Sequence, residues 1–345
     1  MSLRTYFLDS AEFNLYYNCS SYDVNSIPLK QRAHPYRGLL LIMLGSVLEI
    51  CYVPCIYAML CRRQRAQHCY RLMLFLGICE MISLSTDAIM VGMWTLEGSV
   101  YCSQPFAIYW ICTLGEFLWQ IQAVLLISLA INRCLTIYDQ YLADRLFKGS
   151  RIAVWMMFPI LYSSCIVWFA PPLIYNSMMT GLFLNPHLNY LPDNDYYYKP
   201  PLFTIHNIST VTIVVMVYLV FAILFFQKLK TIDASRGFLK HAKKEFNTFI
   251  QVLITCSLLV VSIGGYLLEQ HFNDQEWIVL MGTYGFVLFQ GSSALVYLLL
   301  NRTIRTEVLQ LIASKKISHN SNSGPRPQTI SQYQQNPIPR SRRPT

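Results

Sequence analysis

The sequence predicts an all-α membrane protein: a seven-transmembrane helix bundle, N-terminus outside and C-terminus cytoplasmic. Three observations predict it, namely the composition, seven long apolar segments and the distribution of basic residues. Hydrophobic types make up 54% of the 345 residues and charged types 13%, whereas a soluble globular domain carries about 25% charged residues. Mean hydropathy is +0.36. So few charges cannot cover the surface of a soluble protein of this size, which excludes the soluble, disordered and fibrous classes.

Seven segments are long enough to cross a bilayer, which takes about 20 mostly apolar residues in a helix. None of them contains Lys or Arg. A membrane β-barrel would show shorter runs of about ten residues with alternating polarity instead. Spans 1 to 7 are predicted at Gly38–Leu60, Leu72–Trp94, Phe106–Ile131, Ile152–Ile174, Phe203–Gln227, Phe246–Leu268 and Trp277–Leu300.

The segments around the bundle complete the predicted domain organisation. Residues 1–37 form an extracellular N-terminal segment, and residues 38–300 form the bundle. Residues 301–316 show the apolar face and flanking Lys of an amphipathic helix that lies in the headgroup plane. Residues 317–345 have the Ser, Asn, Gln and Pro content of a disordered cytoplasmic tail.

Basic residues set the predicted orientation. Of the 27 Lys and Arg, 22 fall in the segments that lie inside when the N-terminus is outside, and 5 fall in the outer segments. Basic residues favour the cytoplasmic side of membrane proteins. Lys30, Arg32 and Arg37 oppose this bias locally, but the summed bias decides the orientation. The net charge of +9 therefore belongs to inner loops, and nucleic acid is excluded as a partner.

The outer segments hold a candidate glycosylation site and a candidate disulfide. Asn18-Cys19-Ser20 is an Asn-x-Ser sequon, so Asn18 is predicted to be glycosylated; the alternative is an unused sequon. Of eleven Cys, only Cys19 and Cys102 lie outside in this topology. Disulfides persist in the oxidising outer compartment, so these two are predicted to pair.

Carboxylates inside spans are energetically costly, and each is therefore a hypothesis for a functional site. Glu49 and Glu80 are better explained as hydrogen-bonding groups that hold helices together. Asp87 lies two turns beyond Glu80 on the same helix face, toward the outside. Glu116 lies in the outer half of span 3.

The sequence predicts a ligand cavity in the outer half of the bundle, with its floor on span 3. Four residues share one helix face there by their spacing: Cys112, Glu116, Trp119 and Gln120. Asp87 and Tyr284 are predicted to border the same space. Two carboxylates favour a small cationic or hydrogen-bonding ligand, and Trp119 offers a ring face to a cation. A neutral ligand fits if Glu116 is protonated, and the alternative is that this face only packs against neighbouring helices.

Catalytic patterns are absent from the sequence. It contains no Gly-x-Ser-x-Gly, His-Glu-x-x-His, phosphate-binding glycine loop or Cys-x-x-Cys pair, the short motifs that carry common enzyme chemistries. The protein is therefore not expected to be an enzyme, and no cofactor or metal site is predicted.

Motifs in three of the spans resemble those of G-protein-coupled receptors. Asn132-Arg133-Cys134 resembles the Asp-Arg-Tyr end of the third helix, Glu80 stands where span 2 of that superfamily has Asp, and Tyr297 ends a degraded Asn-Pro-x-x-Tyr. The resemblance implies that Asn132, Arg133 and Tyr297 belong to the switch for a heterotrimeric G protein. Asn132 carries no charge and cannot form the usual ion pair with Arg133, which predicts a less firmly locked resting state.

A set of ordered motifs resembles one family within that superfamily, the nematode serpentine chemoreceptors of class T (Srt). The motifs are Tyr17-Asn18-Cys19-Ser20, His34-Pro35-Tyr36-Arg37-Gly38, Glu49-Ile50-Cys51-Tyr52-Val53-Pro54, Cys69-Tyr70-Arg71-Leu72-Met73, Asn132-Arg133-Cys134 and Leu300-Asn301-Arg302-Thr303-Ile304-Arg305. This resemblance implies a multi-pass protein in the plasma membrane of sensory cilia. It implies that a small-molecule cue and a G protein are the partners.

Two other functions stay open at this point. One is a seven-helix channel or transporter, although no repeat relates the two halves of the chain, as it often does in transporters. The other is a receptor-like protein that no longer signals, because span 6 has no Pro and the switch motifs are degraded. The sequence does not determine the oligomeric state.

Overall fold

The computed structural model describes residues 2–20, 22–61, 67–189, 201–231, 238–270, 272 and 275–311. Within them, seven helices are long and apolar enough to cross a membrane. Six of the spans are single helices, at Pro35–Leu60 (span 1), Pro105–Tyr138 (span 3), Ile152–Phe169 (span 4), Pro201–Thr231 (span 5), Phe238–Glu269 (span 6) and Glu276–Leu300 (span 7). Span 2 consists of helix His68–Leu84, a π-helical turn Ser85–Met90 and helix Val91–Glu97.

The bundle has two ends, which we call the N-terminal face and the C-terminal face. The N-terminal face carries residues 2–20 and 22–34, the start of span 3 and residues 170–189 after span 4. The C-terminal face carries the loop helix Gln140–Phe147 and a terminal helix at residues 302–311. Asn301 starts the terminal helix, because its side-chain oxygen accepts the backbone N–H groups of Thr303 and Ile304 at 3.2 Å, as helix N-caps do. The predicted tail at 317–345 lies outside the described residues.

Span 4 is shorter than its sequence predicts. Its predicted end at Ile174 is wrong, because the helix ends at Phe169 and Ile174 begins a strand. Pro171 and Pro172 explain the difference, since proline lacks the N–H that continues a helix and clashes with the preceding turn. Span 3 is longer than predicted and continues past Ile131 to Tyr138.

A two-stranded antiparallel hairpin lies over the N-terminal face. Strand β1 (Ile174–Asn176) pairs with β2 (Gly181–Phe183). Side-chain hydroxyls fix the hairpin to the bundle: the hydroxyls of Thr95 and Tyr175 are 2.6 Å apart, and Thr283 donates to the Thr180 carbonyl at 3.1 Å. These bonds anchor a loop that contains no Cys.

The N-terminal segment folds onto the same face. Helices Leu3–Leu8 and Ser10–Tyr17 pack on spans 3 and 4 through aromatic rings, with Tyr6 stacked on Tyr109 at a centroid distance of 5.5 Å. Cys19 and Cys102 form a disulfide that joins this segment to the start of span 3. The remaining short helices are Val24–Ser26, Leu29–Arg32, Tyr101–Ser103 and Gly149–Arg151.

Buried polar groups join spans 1, 2 and 7 below the hairpin. The Tyr52 hydroxyl lies 2.6 Å from Oε2 of Glu80 and 2.7 Å from the carbonyl oxygen of Gln290. Ser293 donates to Oε1 of Glu80 at 2.9 Å. The Tyr52 hydroxyl therefore lies within hydrogen-bonding distance of two acceptors, and these contacts tie the three spans together.

Candidate functional site

A cavity of about 580 Å³ lies between spans 2, 3, 5, 6 and 7, beneath the hairpin. This volume is the space between the lining atoms and includes space that is open to solvent. The polar lining residues are Thr86, Asp87, Cys112, Glu116 and Asn207, and the aromatic ones are Trp94, Trp119, Phe203, Tyr266 and Phe286. Leu173 and Leu182, on either side of the hairpin turn, close the cavity toward the N-terminal face.

Two features of the backbone bring Asp87 into this cavity. Asp87 lies in the π-helical turn Ser85–Met90, and such turns insert an extra residue and change the direction of the side chains. Gly115 on span 3 then leaves room for the carboxylate, because a Cβ added there would lie 2.8 Å from Oδ1 of Asp87. Gln290 holds the other oxygen, donating to Oδ2 at 3.0 Å.

Span 3 supplies the second carboxylate and an aromatic ring. Glu116 accepts a hydrogen bond at Oε1 from the Gln120 amide, 2.7 Å away. The Trp119 indole N–H donates to Oδ1 of Asn207 on span 5 at 3.1 Å. This bond fixes the plane of the ring, which packs with Phe286 in an edge-to-face arrangement at a centroid distance of 5.5 Å.

The cavity wall is acidic. Among the described lining residues there is no Lys, Arg or His to balance Asp87 and Glu116. A third carboxylate, Glu269, is buried at the end of span 6 and interacts electrostatically with Tyr266 of the wall. Unpaired charge is costly in an apolar interior, so this arrangement favours a bound cation or bound protons.

At the opposite end of the bundle, Arg133 is surrounded by uncharged groups. Its guanidinium is 4.0 Å from the Met73 sulfur, and Tyr297 and Tyr218 are among its electrostatic neighbours. Within the described part of the chain, no carboxylate forms a salt bridge with it. This arrangement leaves the charge available at the C-terminal face.

Asn132, the preceding residue, belongs to a chain of hydrogen bonds on the same face. Its amide nitrogen is 3.1 Å from Nδ1 of His68, and Nε2 of His68 is 3.3 Å from Oδ1 of Asp144 on the loop helix. Hydrogen bonds from Gln140, first, and from His68 lower the pKa of Asp144 below its ordinary value of 3.8. Asn132, His68 and Asp144 together, called here the loop clamp, connect spans 2 and 3 to the loop helix.

Comparison with known protein families identifies the fold. The family model described as "Serpentine type 7TM GPCR chemoreceptor Srt" matches residues 1–321 of the 345. The chain belongs to the Srt family of serpentine chemoreceptors. No curated protein matches it. With seven spans, this Srt family member is a multi-pass membrane protein.

The structure places the predicted cavity residues of this Srt family member in two groups. Asp87, Cys112, Glu116 and Trp119 line the cavity. Gln120 and Tyr284 are not among the described lining residues: the buried Gln120 donates to Glu116, and the Tyr284 hydroxyl donates to the Arg37 carbonyl at 3.2 Å.

Several lining residues were not predicted from the sequence. Asn207 and Phe203 on span 5, Tyr266 on span 6 and Phe286 on span 7 reach the cavity only through helix packing. Among these residues, Asn207 could have been predicted from the sequence, because it is a polar residue inside an apolar span and such residues mark functional positions in membrane proteins. The hairpin residues gave no signal, since their segment was assigned partly to span 4 and partly to a loop.

The structure also places the residues of this Srt family member that the sequence predicts to lie outside the membrane. Asn18 is exposed at the end of helix Ser10–Tyr17, and its side-chain oxygen accepts the Ser20 N–H at 2.8 Å. Sulfur and nitrogen atoms of Cys19, Cys102 and His187 lie within 4.8 Å of one another. The two sulfurs are used by the disulfide, so they offer no thiolates for a metal ion.

Proposed function

We propose that this Srt family member is a chemosensory receptor that binds a small molecule in the cavity and signals to a heterotrimeric G protein. The single observation that carries the proposal is the family match over residues 1–321, which spans both candidate sites. The cavity and the Arg133 region lie at opposite ends of span 3, so one helix connects the two.

The proposed binding site is the wall formed by Asp87, Cys112, Glu116 and Trp119. The hairpin and the disulfide-linked N-terminal segment cover this end of the bundle. We propose that the N-terminal face is extracellular, supported by the excess of basic residues in the segments of the other face. The exposed Asn18 is then a glycosylation site.

The proposed G-protein face contains Asn132, Arg133 and Tyr297. Arg133 has no ion pair with Asn132, and the loop clamp provides the restraint in its place. A neutral hydrogen bond contributes about 1 kcal/mol to stability, and one to a charged group such as the Asp144 carboxylate contributes about 1.5–3 kcal/mol. A restraint of this size allows basal signalling and is readily overcome by ligand binding. Sensory cilia are the proposed location.

A cell-based screen tests the binding half of this proposal. Cells expressing the receptor are exposed to a library of small molecules, and second-messenger output is recorded for wild type and for Glu116→Gln. The substitution keeps the shape of the side chain and removes its charge. We expect surface expression to stay normal and the response to an identified agonist to change by about tenfold or more, as for a lost charge-assisted contact.

Glu49→Gln is the matched control. Glu49 is also a carboxylate within a span, but it accepts a hydrogen bond from Ser85 and does not line the cavity. Its agonist response should equal that of wild type. An unchanged response in Glu116→Gln would contradict the assignment of the binding site, and ion flux in vesicles without any G-protein response would favour a channel or transporter.

A further inference from the structure

The cavity combines two carboxyl groups with aromatic surface, and this combination points to the chemical class of its ligand. We propose that the ligand is an organic amine in its cationic form, whose charge is balanced by Asp87 and Glu116. This inference rests on the proposed function, because it names the ligand class of the same site. Its apolar part would pack against Trp119, Tyr266 and Phe286.

The two carboxylates are held in place and retain capacity to bind. Gln290 and Gln120 each donate one hydrogen bond, to Oδ2 of Asp87 and Oε1 of Glu116. The second oxygen of Glu116, Oε2, accepts no hydrogen bond from the described residues, although only 8% of this cavity-lining residue is exposed. An ammonium group supplies up to three N–H donors, so it can bind this oxygen and balance the charge.

The electrostatics of the wall favour a cation over a neutral molecule. Like charges repel strongly in a medium of low dielectric constant, and the lining residues in the described part of the chain provide no basic side chain. One ligand cation between Asp87 and Glu116 would reduce this repulsion and satisfy the free oxygen in a single step. A neutral ligand would require protons on the carboxylates instead.

The aromatic wall adds a second, independent preference for a cation. Trp119 meets Phe286 edge to face, and Tyr266 meets the same ring at a centroid distance of 5.9 Å. The negative face of such rings attracts cations within about 6 Å. Because Asn207 already accepts the Trp119 N–H, that ring can interact with a ligand through its face but not through its donor.

Pairs of small molecules that differ in charge but not in shape test the proposal. We would purify the full chain in lipid nanodiscs and measure its melting temperature at neutral pH. The probes are 2-phenylethylamine with 2-phenylethanol, and cyclohexylmethylamine with cyclohexylmethanol, each at millimolar concentration. We expect each amine to raise the melting temperature more than its alcohol, because ligands that bind the folded state stabilise it.

Variants then locate the preference. Asp87→Asn should weaken amine binding by at least about tenfold, as for removal of one partner from a buried charge pair, and should leave alcohol binding unchanged. The double variant Asp87→Asn with Glu116→Gln should lose the preference for amines. Glu49→Gln, which removes a carboxylate outside the cavity, should keep it. Melting temperatures without ligand identify a variant that fails to fold, in which case the single variant Glu116→Gln provides the comparison.

Three results would overturn the proposal: alcohols that stabilise wild type as much as amines do, no stabilisation by any amine, or an amine preference that survives in the double variant. Each is independent of G-protein coupling, which is measured by nucleotide exchange without added ligand. The amine preference can therefore fail while G-protein coupling is observed. Conversely, amine binding can be observed in a protein that shows no G-protein coupling.

Discussion

Gly115 determines how Asp87 enters the cavity. Gly115→Ala would add a Cβ 2.8 Å from Oδ1 of Asp87, so the carboxylate must turn away from its position beside Gln290. Overpacking of this kind costs about 1–3 kcal/mol, and a cost of this size on the bound position of the carboxylate corresponds to about 5- to 150-fold in affinity. We expect the amine-induced rise in melting temperature to shrink accordingly. Dose-dependent melting curves measure it.

A second glycine provides the matched control for this substitution. Gly264→Ala on span 6 adds the same methyl group where no atom lies within 4 Å of the new Cβ. Amine binding should therefore be unchanged in that variant. Equal amine binding by Gly115→Ala and Gly264→Ala would show that the position of the Asp87 carboxylate does not matter.

At the residue scale, the sequence predicted side chains on a single helix better than those brought together by packing. Cys112, Glu116 and Trp119 were placed together because helical spacing puts them on one face. Tyr266 could not be placed, since it reaches the cavity from a distant span through tertiary contacts. Gln120 shares this helix face by its spacing but is not among the residues that line the cavity. Helical spacing therefore predicts which residues share a face, but not which of them border the cavity.

The loop clamp makes a prediction at the scale of elements. Asp144→Asn keeps the shape of the side chain but removes the charge that accepts from His68, which loosens the loop helix from spans 2 and 3. If this contact stabilises the resting state by about 1 kcal/mol, nucleotide exchange without agonist should rise about fivefold. Exchange on a purified G protein with receptor in nanodiscs measures this.

The pKa of Asp144 sets the pH range of this effect. Hydrogen bonds lower it below the ordinary value of 3.8. The stabilisation is therefore fully present above that value and is lost only as pH falls through the lower pKa of the folded state.

Lys148→Gln is the control for Asp144→Asn, because the exposed Lys148 ammonium is 3.6 Å from Asp144 and such surface pairs contribute little to stability. An Asp144→Asn variant with the basal rate of wild type would contradict the clamp.

The sequence predicts the long membrane-spanning helices, but it does not predict the short hairpin or the π-helical turn. All seven spans were predicted, because about 20 apolar residues leave few alternatives to a helix in a bilayer. The end of span 4 was missed, although Pro171 and Pro172 were visible, because apolar residues continue to Ile174. The hairpin and the π-helical turn depend on contacts with other elements, so local composition does not reveal them.

The whole molecule is a bundle whose two ends carry separate candidate sites. The disulfide, the hairpin and the cavity occupy the N-terminal face, and Arg133 with the loop clamp occupies the other. The family and the seven spans were predicted from ordered motifs and hydropathy, and the match over residues 1–321 confirms both. The direction of the bundle in the membrane stays a prediction from the basic residues.

The central claim is that Arg133 at the C-terminal face activates a G protein, and nucleotide exchange tests it most directly. Wild-type receptor in nanodiscs is mixed with a panel of heterotrimeric G proteins, and the rate of GDP–GTP exchange is compared with that of Arg133→Ala. Arg302→Ala, which removes an exposed charge from the same face, is the control. We predict accelerated exchange by wild type and Arg302→Ala and none by a folded Arg133→Ala. Equal acceleration by the Arg133→Ala variant, or none by folded wild type, would contradict the account.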